Sequence, residues 1–167
     1  MALKFDFASV YDYTNWIVTY PSAQGFQERF LRKAEQVIAN TEFPGIELEI
    51  AEFRSGGWLA QKEVTPMLSV SFRKSQFSKL GIYFRAQTFG NVVLYSLLST
   101  VDKGFWNALQ GKPTMEIIAG IRAKCQNWAQ FEEFTALTEL GSLTFRLAME
   151  ELDPTWEQNK SLLHLKR

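Results

Sequence analysis

The sequence predicts an α+β fold: an antiparallel meander sheet of about four to five strands, with an N-terminal helix and C-terminal helices packed on one face. Three observations carry this. Apolar and polar residues alternate in several runs between residues 46 and 98, as half-buried strands require. Apolar stripes at helical spacing precede and follow that region, at 22–40 and from 114 onward. Strand-like and helix-like patterns are therefore segregated along the chain rather than interleaved.

Leu3, Phe5 and Phe7 alternate with Lys4 and Asp6, a short strand pattern. Residues 9–20 admit two readings. Val10, Tyr13, Ile17 and Tyr20 share a helix face, whereas the run from Asn15 to Tyr20 favours a strand by propensity. Pro21 ends either element, and Ser22 is a natural N-cap for the helix that follows. Phe26, Phe30, Ala34, Val37 and Ile38 form its apolar stripe, and the helix ends near Asn40, before Pro44-Gly45.

Ile46, Leu48 and Ile50 alternate with Glu47 and Glu49. The phase slips at Ala51-Glu52-Phe53, which predicts a bulge. Gly56-Gly57 marks a hairpin turn. A second strand is expected from Trp58 to about Val64, with Pro66 demanding an edge position or a kink. Leu68, Val70 and Phe72 alternate with Ser69, Ser71 and Arg73, and Leu80 to Ala86 repeats the pattern after a turn. Gly90-Asn91 turns the chain into the nearly continuous apolar run Val92–Leu98, the pattern of a central strand.

Thr114 opens a helix carrying Ile117, Ile118, Ile121, Cys125 and Trp128 on one side, and Phe131, Phe134 and Leu137 extend the stripe. Residues 141–152 fit a strand by alternation (Leu143, Phe145, Leu147, Met149) and a helix by spacing. Leu, Ala, Met and Glu favour the helix. Asp153-Pro154 breaks the element, and 154–167 reads as a short, loosely packed tail. With no repeat, low-complexity run or linker, 1–167 is expected to be a single domain.

Composition excludes several classes. The chain is 46% apolar and 14% aromatic, too hydrophobic for disorder. Its uncharged run Ala86–Val101 includes Gln, Thr, Gly, Asn and Ser and falls short of the roughly 18 apolar residues a membrane span needs, so no membrane partner is expected. Asp6 stands where a secretory signal would be apolar, and the single cysteine allows no internal disulfide; both predict a cytoplasmic protein.

One His and one Cys cannot build a Cys/His metal site, so neither metal nor cofactor is expected. His164 lies three residues from the C-terminus, a poor position for a catalytic base, and Cys125 lies on an apolar stripe, where it reads as core. No phosphate-binding glycine motif is present, and Gly111-Lys112-Pro113-Thr114 resembles one only as a fragment. Nothing singles out a carboxylate pair for glycoside hydrolysis among the eighteen acids. The expectation is a non-enzymatic protein, with no catalytic residue to name.

One feature stands out against the zero net charge. Between Glu63 and Asp102 there is no acid, while Arg73, Lys74, Lys79 and Arg85 fall in that stretch, and Tyr83 and Gln87 share a strand face with Arg85. From Phe131 to Glu157 there are seven acids against the single base Arg146. A basic sheet face with hydroxyl and aromatic groups has three readings: an ordinary solvated surface that discourages edge pairing, a protein interface, or a nucleic-acid surface. The reading carried forward is a face built on Arg73, Lys74, Lys79, Tyr83, Arg85 and Gln87 that binds a protein partner or a second copy, with nucleic acid the weaker case.

The aromatic residues mostly read as core. The alternative is an apolar ligand cavity between sheet and C-terminal helix, lined by Trp58, Phe84, Tyr95, Ile121 and Trp128. In the order of its elements, the chain resembles helix-grip ligand-binding folds in outline, without a shared motif.

Overall fold

The computed structural model describes residues 2–3, 10–55, 63–72, 77, 80–101 and 114–161. Ten elements follow in order: β1 (Ala2–Leu3), β2 (Val10–Thr19), α1 (Phe26–Asn40), β3 (Ile46–Ser55), β4 (Glu63–Phe72), β5 (Leu80–Phe89), β6 (Val92–Val101), α2 (Thr114–Arg122), α3 (Trp128–Leu152) and α4 (Trp156–Asn159). The fold is α+β, as the segregated patterns predict. Strands β3 to β6 form an antiparallel meander, β2 joins antiparallel beside β6, and β1 adds a short parallel pairing to β3. The sheet order is β1-β3-β4-β5-β6-β2.

The open choice at 9–20 resolves as strand. Val10–Thr19 pairs with β6 from Val10↔Thr100 to Thr19↔Val92, with an irregularity between Val10 and Asp12. The partner decides it: β6 has an unsatisfied ladder edge, and a strand of β-branched and aromatic residues fills it. The choice at 141–152 resolves as helix, inside the 25-residue α3.

Helix α1 begins three residues later than the Ser22 cap would place it. Its cap is Gly25, at φ 78°, a backbone region open to glycine at little cost. The Tyr20 and Phe26 rings stack at 3.7 Å across the intervening turn, and this aromatic pair sets where the helix starts. At the β5–β6 hairpin, Phe89 pairs with Val92 across a two-residue turn, and Gly90 supplies its positive φ of 62°.

The bulge predicted at Ala51-Glu52-Phe53 is absent. Register runs unbroken from Ile46↔Phe72 to Ser55↔Glu63. What changes is the buried side. Ile46 and Leu48 pack against the main core, whereas Ala51, one strand phase later, joins Met67 in a small second core on the opposite face, with Tyr83 against it. A sheet that buries opposite faces at its two ends reads in sequence as a slipped phase. Pro66 sits in β4 opposite Glu52, one residue before the β4–β5 ladder begins at Met67↔Arg85. It therefore occupies the edge-like part of β4, where a missing N–H costs no β5 bond.

Helices α1 and α3 lie on one face of the sheet, with α1 over β4, β5 and β6 and against α3. Phe30 is central: its ring meets those of Tyr95 at 4.9 Å, Phe145 at 5.9 Å and Phe84 at 6.2 Å, all fully buried. The stripe read as one helix from Thr114 is two helices. The break falls before Asn127, whose side chain accepts from the Gln130 N–H at 3.0 Å and caps α3. Cys125, read as core, sits in this break and is only partly buried.

The C-terminal end of α3 is fastened to the sheet by polar bonds. Trp16 Nε1 donates to Asp153 Oδ2 at 2.7 Å, and Asp153 Oδ1 accepts from the Thr155 N–H and hydroxyl. Tyr20 donates to the Leu152 carbonyl at 2.8 Å, so the 2.7 Å bond between the two phenols must be donated by Tyr95. Trp156, in the segment expected to be loosely packed, is buried edge-on against Trp16. Lys33 on α1 pairs with Glu151 on α3. No described helix is long and apolar enough to cross a membrane.

Candidate functional site

Strand alternation divides the sheet into two faces. Ile82, Phe84 and Ala86 on β5 enter the core under the helices, so Gly81, Tyr83, Arg85 and Gln87 lie on the other face. The ladders then set up rows across β5, β6 and β2. Tyr83, Leu98 and Tyr13 form one row; Arg85, Ser96 and Asn15 the next; Gln87, Leu94 and Ile17 the third; Phe89, Val92 and Thr19 the last. Two of these strands are neighbours in sequence, but β2 arrives from the other end of the chain.

Arg85 is held by its neighbours. Its Nε donates to Thr65 Oγ1 at 3.2 Å and its Nη2 to Gln87 Oε1 at 2.8 Å, which orients the planar guanidinium along the face. Ser96, in the same row, shares a hydroxyl–hydroxyl bond of 3.2 Å with Tyr13 of the next row. Between these polar groups lies a cavity of about 460 Å³. Val10, Leu94 and Leu98 supply its apolar lining; Tyr13, Ser96, Arg85 and Gln87 supply the polar one.

Beyond the cavity the face becomes apolar and open. Ile17 is 63% exposed and Phe89 55%. Large side chains pointing to water in adjacent rows of one sheet face are uncommon on a surface with no partner.

Of the basic set, Tyr83, Arg85 and Gln87 stand on the same face, opposite α1 and α3, while Arg73, Lys74 and Lys79 lie outside the described residues. The described part of the face is not uniformly basic. Strand β3 places Glu47 opposite Ser71 and Glu49 opposite Ser69, so two carboxylates share the face with Arg85. Of the ligand-cavity set, Trp58 lies outside the described residues. Phe84 and Tyr95 sit fully buried in the ring cluster around Phe30. Ile121 is buried on α2, whereas Trp128, at the start of α3, is 70% exposed and stacks on Phe131. A larger space of about 720 Å³ runs along α3 past Leu140, Leu143 and Trp156, and none of the four lines it.

Tyr13, Ile17, Leu94, Ser96 and Phe89 are absent from the sequence-derived sets. Their signal was strand alternation, the odd-numbered phase of β2 and β5 and the even-numbered phase of β6, but only the pairing of β6 with both neighbours brings these phases onto one face. Burial pushes the Tyr11 phenol up to about 12, helped by neighbouring Asp12, and burial likewise raises Tyr20 and Tyr95. These three belong to the core, not to the cavity wall. Among the described residues no group of three or more His, Cys, Asp or Glu side chains is placed to hold a metal ion. Comparison with family models, curated proteins and solved structures finds no match to this chain.

Proposed function

We propose that this is a non-enzymatic cytoplasmic protein that works by binding another protein through the face of its sheet opposite α1 and α3. The observation that supports this is the exposed apolar pair Ile17 and Phe89, in adjacent rows of a face that also carries Tyr13 and Arg85. Interfaces of this kind place apolar and aromatic residues at the middle and let charges set register and partner choice. The zero net charge suits association, since it provides little repulsion between copies. Glu47 and Glu49 on the same face weigh against nucleic acid, whose phosphates they would repel. The lone cysteine suits a reducing compartment.

The test is photo-crosslinking in cells. A photoreactive amino acid is placed at Ile17 or Phe89, and as a control at Gln36, an exposed residue of α1 on the other side of the molecule. Protein adducts from 17 and 89 and none from 36 are expected. Light-scattering mass of the purified protein then separates a second copy from a different partner. Absence of adducts at both face positions refutes the reading.

A further inference from the structure

We propose that the space along α3 is the docking groove of the chain's own C-terminal segment, residues 162–167, which lie outside the described residues. The groove measures about 720 Å³. Its apolar lining includes Leu97, Leu140, Phe145 and Trp156, all buried, with the more exposed Leu143. Three carboxylates, Glu139, Glu150 and Glu157, line it against two bases, Arg146 and Lys160. Lys160 pairs with Glu157 at 2.7 Å, and among the described residues neither Glu139 nor Glu150 is in an ion pair.

The segment reads Leu162-Leu163-His164-Leu165-Lys166-Arg167, three leucines followed by two bases. It complements the groove twice over: leucines against an apolar lining, and cations against carboxylates. Position and reach agree with this. Lys160 lines the groove and the described chain stops at Ser161, so the segment starts at the groove itself. From Glu150 back to Glu139, α3 rises by about 16 Å at 1.5 Å per residue. Six extended residues span at most about 20 Å. The leucines can therefore cover Leu143 and Leu140 while the bases come up to Glu139.

Tethering makes modest contacts sufficient, because a short linker holds the segment at an effective concentration on the order of millimolar. The segment then acts as a strap: a leucine-rich basic peptide from another molecule must displace it to enter the groove. Neither Ile17 nor Phe89 lines the groove, so this inference and the partner reading of the sheet face succeed or fail separately.

The experiment uses the full chain with a nitroxide spin label on His164→Cys, in a Cys125→Ser background, and reads paramagnetic broadening of amide signals by NMR. The amides of Glu139, Leu140 and Leu143 are expected to lose at least half their intensity relative to the reduced label. The same label on a Leu162→Ser/Leu163→Ser/Leu165→Ser chain is expected to leave them unchanged. Lys166→Glu/Arg167→Glu should weaken the broadening, and adding Glu139→Lys and Glu150→Lys to that chain should restore it. Unfolding midpoints confirm that each variant folds. Mixing spin-labelled copies with isotope-labelled, spin-free copies is expected to give no broadening, since the strap closes on its own chain. The proposal is overturned if the labelled chain shows no broadening at these amides, if the serine segment broadens them equally, or if the broadening passes between copies. Charge reversal without effect, or a charge swap that fails to restore the broadening, overturns it as well.

Discussion

Asp153→Ala should cost this protein about 2–4 kcal/mol of stability, and the reason is its place between three partners. Its Oδ2 accepts the Trp16 indole N–H at 2.7 Å in a buried bond between β2 and the end of α3. A hydrogen bond to a charged acceptor contributes about 1.5–3 kcal/mol, and removing the acceptor leaves the indole N–H buried without a partner. Its Oδ1 accepts the Thr155 N–H at 2.8 Å and the Thr155 hydroxyl at 2.7 Å, closing the turn into α4. Losing these turn bonds costs about 1 kcal/mol. Relief from burying a carboxylate offsets part of the sum. Asp153→Asn keeps an oxygen acceptor for one side only and should lose about half as much. The assay is urea unfolding followed by tryptophan fluorescence, with the slope m unchanged and the midpoint lowered. A Trp16→Phe/Asp153→Ala double-mutant cycle should return a coupling above about 1 kcal/mol. Refutation is a single Asp153→Ala loss below about 0.5 kcal/mol, or additive effects in the cycle.

The two phenols of the neighbouring network are not equivalent. Tyr20→Phe removes two bonds and strands both the Tyr95 hydroxyl and the Leu152 carbonyl, so it should cost about 2–3 kcal/mol in the same assay; Tyr95→Phe removes only its own donated bond and should cost about 1 kcal/mol. Stability should stay flat with respect to tyrosine ionisation up to about pH 10 and fall above it. Tyr11 is raised to about 12, and Tyr20 and Tyr95 are raised as well, so between the unfolded and folded values the unfolded chain holds fewer protons and is favoured as pH rises. Each such tyrosine adds a slope of up to about 1.4 kcal/mol per pH unit, measurable as urea midpoints between pH 9 and 11.5. At Gly141, where α3 meets the sheet, a Cβ would lie 3.3 Å from Ile82 Cδ1 and 3.5 Å from Leu97 Cδ1. Gly141→Ala should therefore fall within about 1 kcal/mol of wild type, helix propensity opposing the squeeze, while Gly141→Leu should lose more than about 2 kcal/mol in thermal unfolding.

The candidate site was legible only in part. The odd-numbered phase of β5 identified Tyr83, Arg85 and Gln87 as face-mates, because alternation is a local property of a strand. It could not show Glu47 and Glu49 joining that face from β3, nor Tyr13 and Ile17 from β2, since both depend on which strands become neighbours. The cavity set of Trp58, Phe84, Tyr95, Ile121 and Trp128 was legible for the opposite reason. Aromatic residues on apolar stripes say that they are buried or near burial, and do not say what packs between them; Phe84 and Tyr95 both meet the Phe30 ring.

By itself the sequence determined the α+β class, the meander from β3 to β6, the amphipathic α1 and the glycine at the β5–β6 turn. Each follows from residues within a few positions of one another, through side-chain period or backbone sterics. Tertiary structure alone decided that 10–19 is a strand and 141–152 a helix, that Ala51 and Met67 bury the reverse face without a bulge, and that β2 closes the row beside Arg85. In each of those cases local preference was nearly balanced, and contacts between segments distant in the chain supplied the difference.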